Sequence, residues 1–220
     1  MNKLSLFYPV KPFWAFQGFG ANEACVKNGF GLFNKRAIVS KVDGVCPPNF
    51  SELYPQLGMK GHTGLDCQVT HGQNLYSCVD GRVAEISTEI ERGMGVDIIT
   101  KERFHFAEGF YYAKVRYWHL MSVNVIVGQE LKAGDFIGQA DNTGISGGDH
   151  LHFELKPVLF NYDGIPYNVL QSNEYYGAVD PTPYFNGHHA QDAQMIVGIL
   201  RQMVDILSKI VNLKKSLWGV

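Results

Sequence analysis

Between Leu65 and Leu155 the chain is written in short apolar runs with turn residues between them, a spacing that favours sheet over helix. Leu65–Val69, Asn74–Val79 and Arg82–Ser87 are separated by His71-Gly72 and Asp80-Gly81. Asp-Gly between apolar runs is a hairpin signal. Val96–Thr100 and Ala113–Leu120 alternate apolar and polar side chains, the period that buries one face of a strand. Phe104–Gly109 between them reads as an extended hairpin tip, and Val125–Val127, Phe136–Gln139 and His150–Leu155 complete the set. The pattern predicts a mainly β protein, an antiparallel sheet or sandwich. Twenty-four glycines in 220 residues supply the tight turns such a fold needs.

The flanks read differently. Phe7–Gly20 mixes aromatics with Pro9 and Pro12 and suggests an edge strand or extended lead-in. Residues 21–58 lack clean periodicity and read as a long loop that could wall a cleft. Residues 157–186 hold four prolines and many tyrosines, which predicts irregular structure packed by aromatics. From Ala190 the period changes. Ile196, Ile199, Met203, Ile206, Ile210, Leu213 and Leu217 step by three and four, and Leu200 and Leu207 widen the stripe. That predicts an amphipathic C-terminal α-helix. The expected division is therefore a domain over 1–187 and a helix over 188–220, the latter suited to self-association or to docking on a partner protein.

The alternation at the end of the β region carries chemistry. His150, His152 and Glu154 are two apart, so in a strand they share one face while Leu151, Phe153 and Leu155 take the other. Two imidazoles and a carboxylate are poor core material without partners. His62 and Asp66 are four apart, a helical spacing, but Gly61 and Gly64 argue for a loop carrying His62 and a following strand carrying Asp66. Nitrogen and oxygen ligands with one open position are the pattern of hydrolytic zinc. His62, Asp66 and one histidine of the 150–152 pair would supply three ligands, and spacing alone does not say which. The other histidines would then be free to carry protons, His119 at the end of an alternating strand among them. His71 in a turn, His105 in the hairpin tip and His188-His189 before the helix read as solvated residues unrelated to a metal.

The ordered fragments Gly61-His62-Thr63-Gly64-Leu65-Asp66, Asp80-Gly81-Arg82-Val83, Gly93-Met94-Gly95-Val96, Tyr117-Trp118-His119-Leu120, Val127-Gly128-Gln129, Gly134-Asp135-Phe136-Ile137-Gly138, His150-Leu151-His152-Phe153-Glu154 and Val179-Asp180-Pro181 resemble the lysostaphin-type zinc endopeptidases that cut peptidoglycan. The resemblance runs from about Phe16 to Phe185. It implies one catalytic zinc held by His62, Asp66 and His152, with His119 and His150 as the catalytic histidines. Glu154 is a candidate acceptor for an imidazole, the usual way a ligand's orientation is held. The chain departs from the family where an arginine often follows the early Phe-Gly, since Phe19-Gly20 is followed by Ala21-Asn22. Its loops at 21–58, 101–113 and 157–178 are long.

Other features narrow the function. A net charge of −2 gives no general drive toward nucleic acid. The first residues lack the apolar run of a signal peptide, and no stretch is long and apolar enough for a transmembrane helix. The expectation is a phage lysin or virion-associated enzyme, or a bacterial one secreted by an unconventional route. Cys25, Cys46, Cys67 and Cys78 have no CxxC spacing and read as thiols, with a Cys25–Cys46 disulfide conceivable. A non-catalytic wall-binding or regulatory module on the same fold is the alternative class. A biotinyl- or lipoyl-carrier reading of the Val127–Asp135 hairpin explains none of the histidines.

Overall fold

The structure is a computed structural model that describes residues 3–20, 58–90, 92–144, 146–187, 203, 204, 206 and 207. The chain divides into two units, Met1–Asn186 and Gly187–Val220. In the first, the described residues form ten strands of one antiparallel sheet: β1 Ala15–Gln17, β2 Leu65–Gln68, β3 Asn74–Tyr76, β4 Gly81–Glu89, β5 Gly93–Phe106, β6 Gly109–Val123, β7 Glu130–Leu131, β8 Phe136–Ala140, β9 His150–Phe160 and β10 Pro166–Asn168. The main order is β1-β2-β9-β6-β5-β4-β7, with β10 on β9 and the β3-β8 pair joined to the far end of β6. In the second unit Met203, Val204, Ile206 and Leu207 have helical backbone. The rest of the C-terminal stripe, the loop at 21–57, His188-His189, Cys25 and Cys46 lie outside the described residues.

Strand register builds the core. Val96, Tyr117, Phe153 and Leu65 pair across β5, β6, β9 and β2, and Ile98, Val115 and Leu155 form the next row. All seven side chains are fully buried. Each contributes on the order of 1.5–3 kcal/mol through burial. Tyr117 meets Phe153 edge-on at 5.4 Å, and its hydroxyl accepts the Cys78 N–H at 2.8 Å, so its one polar atom is satisfied inside the core. Cys67 and Cys78 are buried free thiols.

Several local expectations give way to longer-range pairing. Asp80-Gly81 does not close a hairpin, because β3 pairs with β8 while β4 pairs with β5 and β7. The central strands are not short: β5 has 14 residues and β6 has 15, and their hairpin turns over at Ala107-Glu108. Val125–Val127 is loop, with Ile126 and Val127 exposed. Residues 157–168 are not irregular, since β9 runs on through Pro157 to Phe160 and folds back as β10.

Candidate metal centre

The β2–β9 register places Asp66 directly opposite His152 and Gln68 opposite His150. On the other side of β9, Trp118 of β6 stands opposite His152 and Arg116 opposite Glu154. One face of three strands therefore collects the polar side chains while the other face holds the core. His62 arrives from the loop before β2. Its path requires Gly64, where an added Cβ would lie 2.3 Å from the Phe153 carbonyl oxygen of β9. The loop is tied down by the Gly20 N–H, which donates to the His62 carbonyl at 2.8 Å.

Three donor atoms converge. His62 Nε2 lies 3.0 Å from Asp66 Oδ1, His152 Nδ1 lies 2.9 Å from the same oxygen, and the two imidazole nitrogens are 3.0 Å apart. Ligands at ~2.0–2.1 Å around a tetrahedral zinc stand roughly 3.3 Å from one another, so this triangle is close to the required size. The opposite ring nitrogens are engaged as ligands require. His62 Nδ1 donates to the Gly18 carbonyl at 3.0 Å, and His152 Nε2 faces Glu154 Oε1 at 3.4 Å. Those contacts leave His62 Nε2 and His152 Nδ1 with their lone pairs toward the centre. The residues fit zinc in number, type and tautomer.

The centre rests on a buried ionic row. Glu154 Oε2 meets Lys156 Nζ at 3.0 Å and an Arg116 nitrogen at 3.6 Å, while Thr63 Oγ1 donates to Oε1. Arg116 Nε in turn donates to Asp97 Oδ1 at 2.8 Å. Burial opposes ionisation of Glu154, but Lys156, His152 and Arg116 outweigh it and hold the carboxyl well below its ordinary range. Burial likewise opposes the Asp66 charge, and His62, His150 and His152 together hold that group low. Burial lowers the basicity of His152, yet its hydrogen bonds to Asp66 and Glu154 carry the pKa up to about 9. A cation at the centre would take the place of that proton.

His119 and His150 stand beside the triangle with ring centroids 4.4 Å apart, and His150 Nε2 is 3.6 Å from Asp66 Oδ1. His119 Nδ1 donates to the Thr143 carbonyl at 2.7 Å and His150 Nδ1 to the Gly148 carbonyl at 2.8 Å. Burial and the neighbouring His150 push His119 down to about 4, so it is neutral at pH 7. Regular alternation would have sent His119 to the core face behind Trp118. Instead β6 bulges here: Tyr117 pairs with Val96 but Leu120 with Met94, and His119 has φ +66°. Such bulges re-aim side chains next to active sites. Gly95 opposite makes room, since a Cβ there would lie 2.4 Å from the Trp118 ring. A left-handed φ costs a non-glycine residue roughly 1–2 kcal/mol. His119→Gly should therefore be about 1 kcal/mol more stable than His119→Ala, measured by chemical denaturation of the two metal-free variants. Equal stabilities would show that the bulge carries no strain.

The expected ligands and catalytic histidines are thus all in one place, whereas His105 stands apart on an exposed tip. Thr63, Thr143, Arg116, Lys156 and Asp97 were not anticipated. Arg116 and Lys156 had a signal, since alternation puts them on the face of Trp118 and His152. The Thr143 and Gly148 contacts are made by backbone carbonyls, which carry none.

A zinc-type ligand triangle on an antiparallel sheet defines a metallohydrolase class. The model of Peptidase family M23 matches residues 60–168, and the chain carries a domain of this zinc metallopeptidase family. Over 111 residues it is 33% identical to the glycyl-glycine endopeptidase ALE-1 of Staphylococcus capitis, covering 49% of this chain and 28% of that protein. Over 140 residues it is 31% identical to lysostaphin of Staphylococcus staphylolyticus, covering 59% and 27%. The catalytic domain of lysostaphin from Staphylococcus simulans superposes with a TM-score of 0.44 at 26% identity, covering 57% of this chain and 79% of that one. The chain spans little more than a quarter of the length of the two curated relatives. Among the described residues, no helix is long and apolar enough to cross a membrane.

Proposed function

We propose that this protein is a zinc endopeptidase that hydrolyses amide bonds in peptidoglycan peptides, in the stem or the cross-bridge. The observation that carries the reading is the triangle of His62 Nε2, Asp66 Oδ1 and His152 Nδ1 with the His119 and His150 rings beside it. His62, Asp66 and His152 would hold a zinc ion, which would supply Lewis acidity toward a scissile carbonyl and toward water. His119 is neutral, its Nδ1–H is committed to Thr143, and its remaining nitrogen has a lone pair to take a proton. His150 is held the same way by Gly148, with Nε2 next to the ligands. Together the two take the water's proton, stabilise the tetrahedral oxyanion and return a proton to the leaving amine. Asp66 neutralises cation charge as a ligand, and Glu154 holds the His152 ring.

The peptide substrate is supported by the family match and by the glycyl-glycine endopeptidase among the relatives. The test is digestion of purified peptidoglycans of different cross-bridge chemistry, with fragments analysed by mass. New amino termini at peptide bonds are expected. Release of intact peptidoglycan peptides without any cleaved amide would overturn the reading. The setting proposed is that of a phage lysin or virion-associated hydrolase, tested by lysis of intact cells on adding purified protein from outside.

The catalytic unit in this proposal is residues 1–187, and 188–220 is an oligomerisation or anchoring helix not needed for chemistry. Truncation after Gly187 should leave a folded, zinc-bound, active domain of smaller assembly size by light scattering. An insoluble or zinc-free product would place the helix in the catalytic unit.

A further inference from the structure

A second group of metal-ligating side chains lies outside the triangle. The ligand atoms of His71, Asp141 and Asp149 are all within 4.8 Å of one another, with His71 Nδ1 2.9 Å from Asp141 Oδ1. His71 and Asp149 are exposed and Asp141 is half-buried. Two carboxylates held this close repel each other, and among the described residues no lysine or arginine forms an ion pair with either. Among the described residues the one ion-pair partner of this group is His71, which is charged only when protonated. The arrangement is held by backbone. The Gly72 N–H donates to the Ala140 carbonyl at 2.9 Å and Gln139 Nε2 to the Gly72 carbonyl at 3.0 Å, which fastens the His71 turn to the end of β8 beside Asp141.

We propose that His71, Asp141 and Asp149 form a second divalent-cation site, for zinc, that clips together the two ends of the β8–β9 connection. One imidazole with two carboxylates is a donor set suited to zinc, whereas an all-oxygen set would suit calcium or magnesium. Exposure leaves several positions to water, so this zinc is held more weakly than one in the buried triangle. The position of the site gives it a purpose. The Asp141 N–H donates to the His119 carbonyl at 2.9 Å, and the Asp141 carbonyl accepts the His150 N–H at 3.3 Å. Between Asp141 and Asp149 lie Thr143 and Gly148, whose carbonyls hold the two imidazoles. A cation bridging Asp141 and Asp149 fixes the segment that sets both histidines.

The test is equilibrium dialysis of the full chain against a series of buffered free-zinc concentrations, followed by metal analysis. Wild-type protein should take up two zinc ions, one tight and one weak. His71→Gln and Asp149→Asn should each keep the tight ion and lose the weak one. His152→Ala should do the reverse, so the outcome does not depend on the peptidase reading. Amide hydrogen exchange gives the structural readout. On filling of the weak site, exchange at the Asp141 and His150 amides should slow in wild type and stay unchanged in Asp149→Asn. A single zinc in wild-type protein, or two in either His71→Gln or Asp149→Asn, would overturn the proposal.

Discussion

At low buffered free zinc, His152→Ala is expected to hold almost no metal where the wild type holds one tight equivalent, and to lose peptidase activity with it. In the proposed site His152 supplies one of three donors, and each partner depends on the others. Its Nδ1 stands 2.9 Å from Asp66 Oδ1 and 3.0 Å from His62 Nε2. Removing the ring leaves two protein ligands, below the three of catalytic zinc sites. It also leaves Asp66 and Glu154 with one cationic neighbour fewer in a buried setting, where an uncompensated charge is costly. The metal loss should therefore come with a lower melting temperature. Glu154→Gln makes the complementary change. It keeps the ligand count and weakens the acceptor that orients the ring, for which a loss of zinc affinity of about 10–100-fold is usual. Stoichiometric tight zinc in His152→Ala, by metal analysis after dialysis, would remove His152 from the ligand set.

Much of this site could be read before any coordinates, because its members sit at the period of a strand. Spacing of two put His150, His152 and Glu154 on one face, and the structure has them there on β9. The choice between His150 and His152 as a ligand did not come from spacing, since both share that face. It came from family resemblance and stays a proposal, with His152 Nδ1 2.9 Å from Asp66 Oδ1 and His150 Nε2 3.6 Å from it. The mainly β antiparallel class was equally legible from alternation. Pairing was not. Asp80-Gly81 carries a local hairpin signal, yet β4 finds its partners in β5 and β7 because long cross-strand rows bury more than one tight turn fixes. The bulge at His119 was also hidden, since part of its cause lies in Gly95 and the Thr143 carbonyl, both more than twenty residues away in sequence. The β9–β10 hairpin was missed because Pro157 and Pro166 argue against strand. Proline is tolerated where its missing N–H is not needed by the ladder.

Activity should separate the two remaining histidines from the ligands. His119→Ala is expected to keep its tight zinc and lose turnover on peptidoglycan by roughly 10²–10⁴-fold, the usual weight of a general acid–base group. His150→Ala should behave similarly. The argument starts from the hydrogen bonds. Both rings give Nδ1–H to a backbone carbonyl, Thr143 for His119 and Gly148 for His150, so neither tautomer is left to chance and Nε2 carries the lone pair in each. The rings lie 4.4 Å apart, and burial together with the neighbouring His150 holds His119 near 4. A neutral base is what proton removal requires at neutral pH. If the two act as a unit on the same proton transfers, their losses will not add, and the double variant should be little worse than the poorer single one. Near-wild-type turnover in a zinc-loaded His119→Ala protein would hand its role to another group. Loss of zinc in that variant would mean instead that the bulge of β6 is part of the metal site's own scaffold.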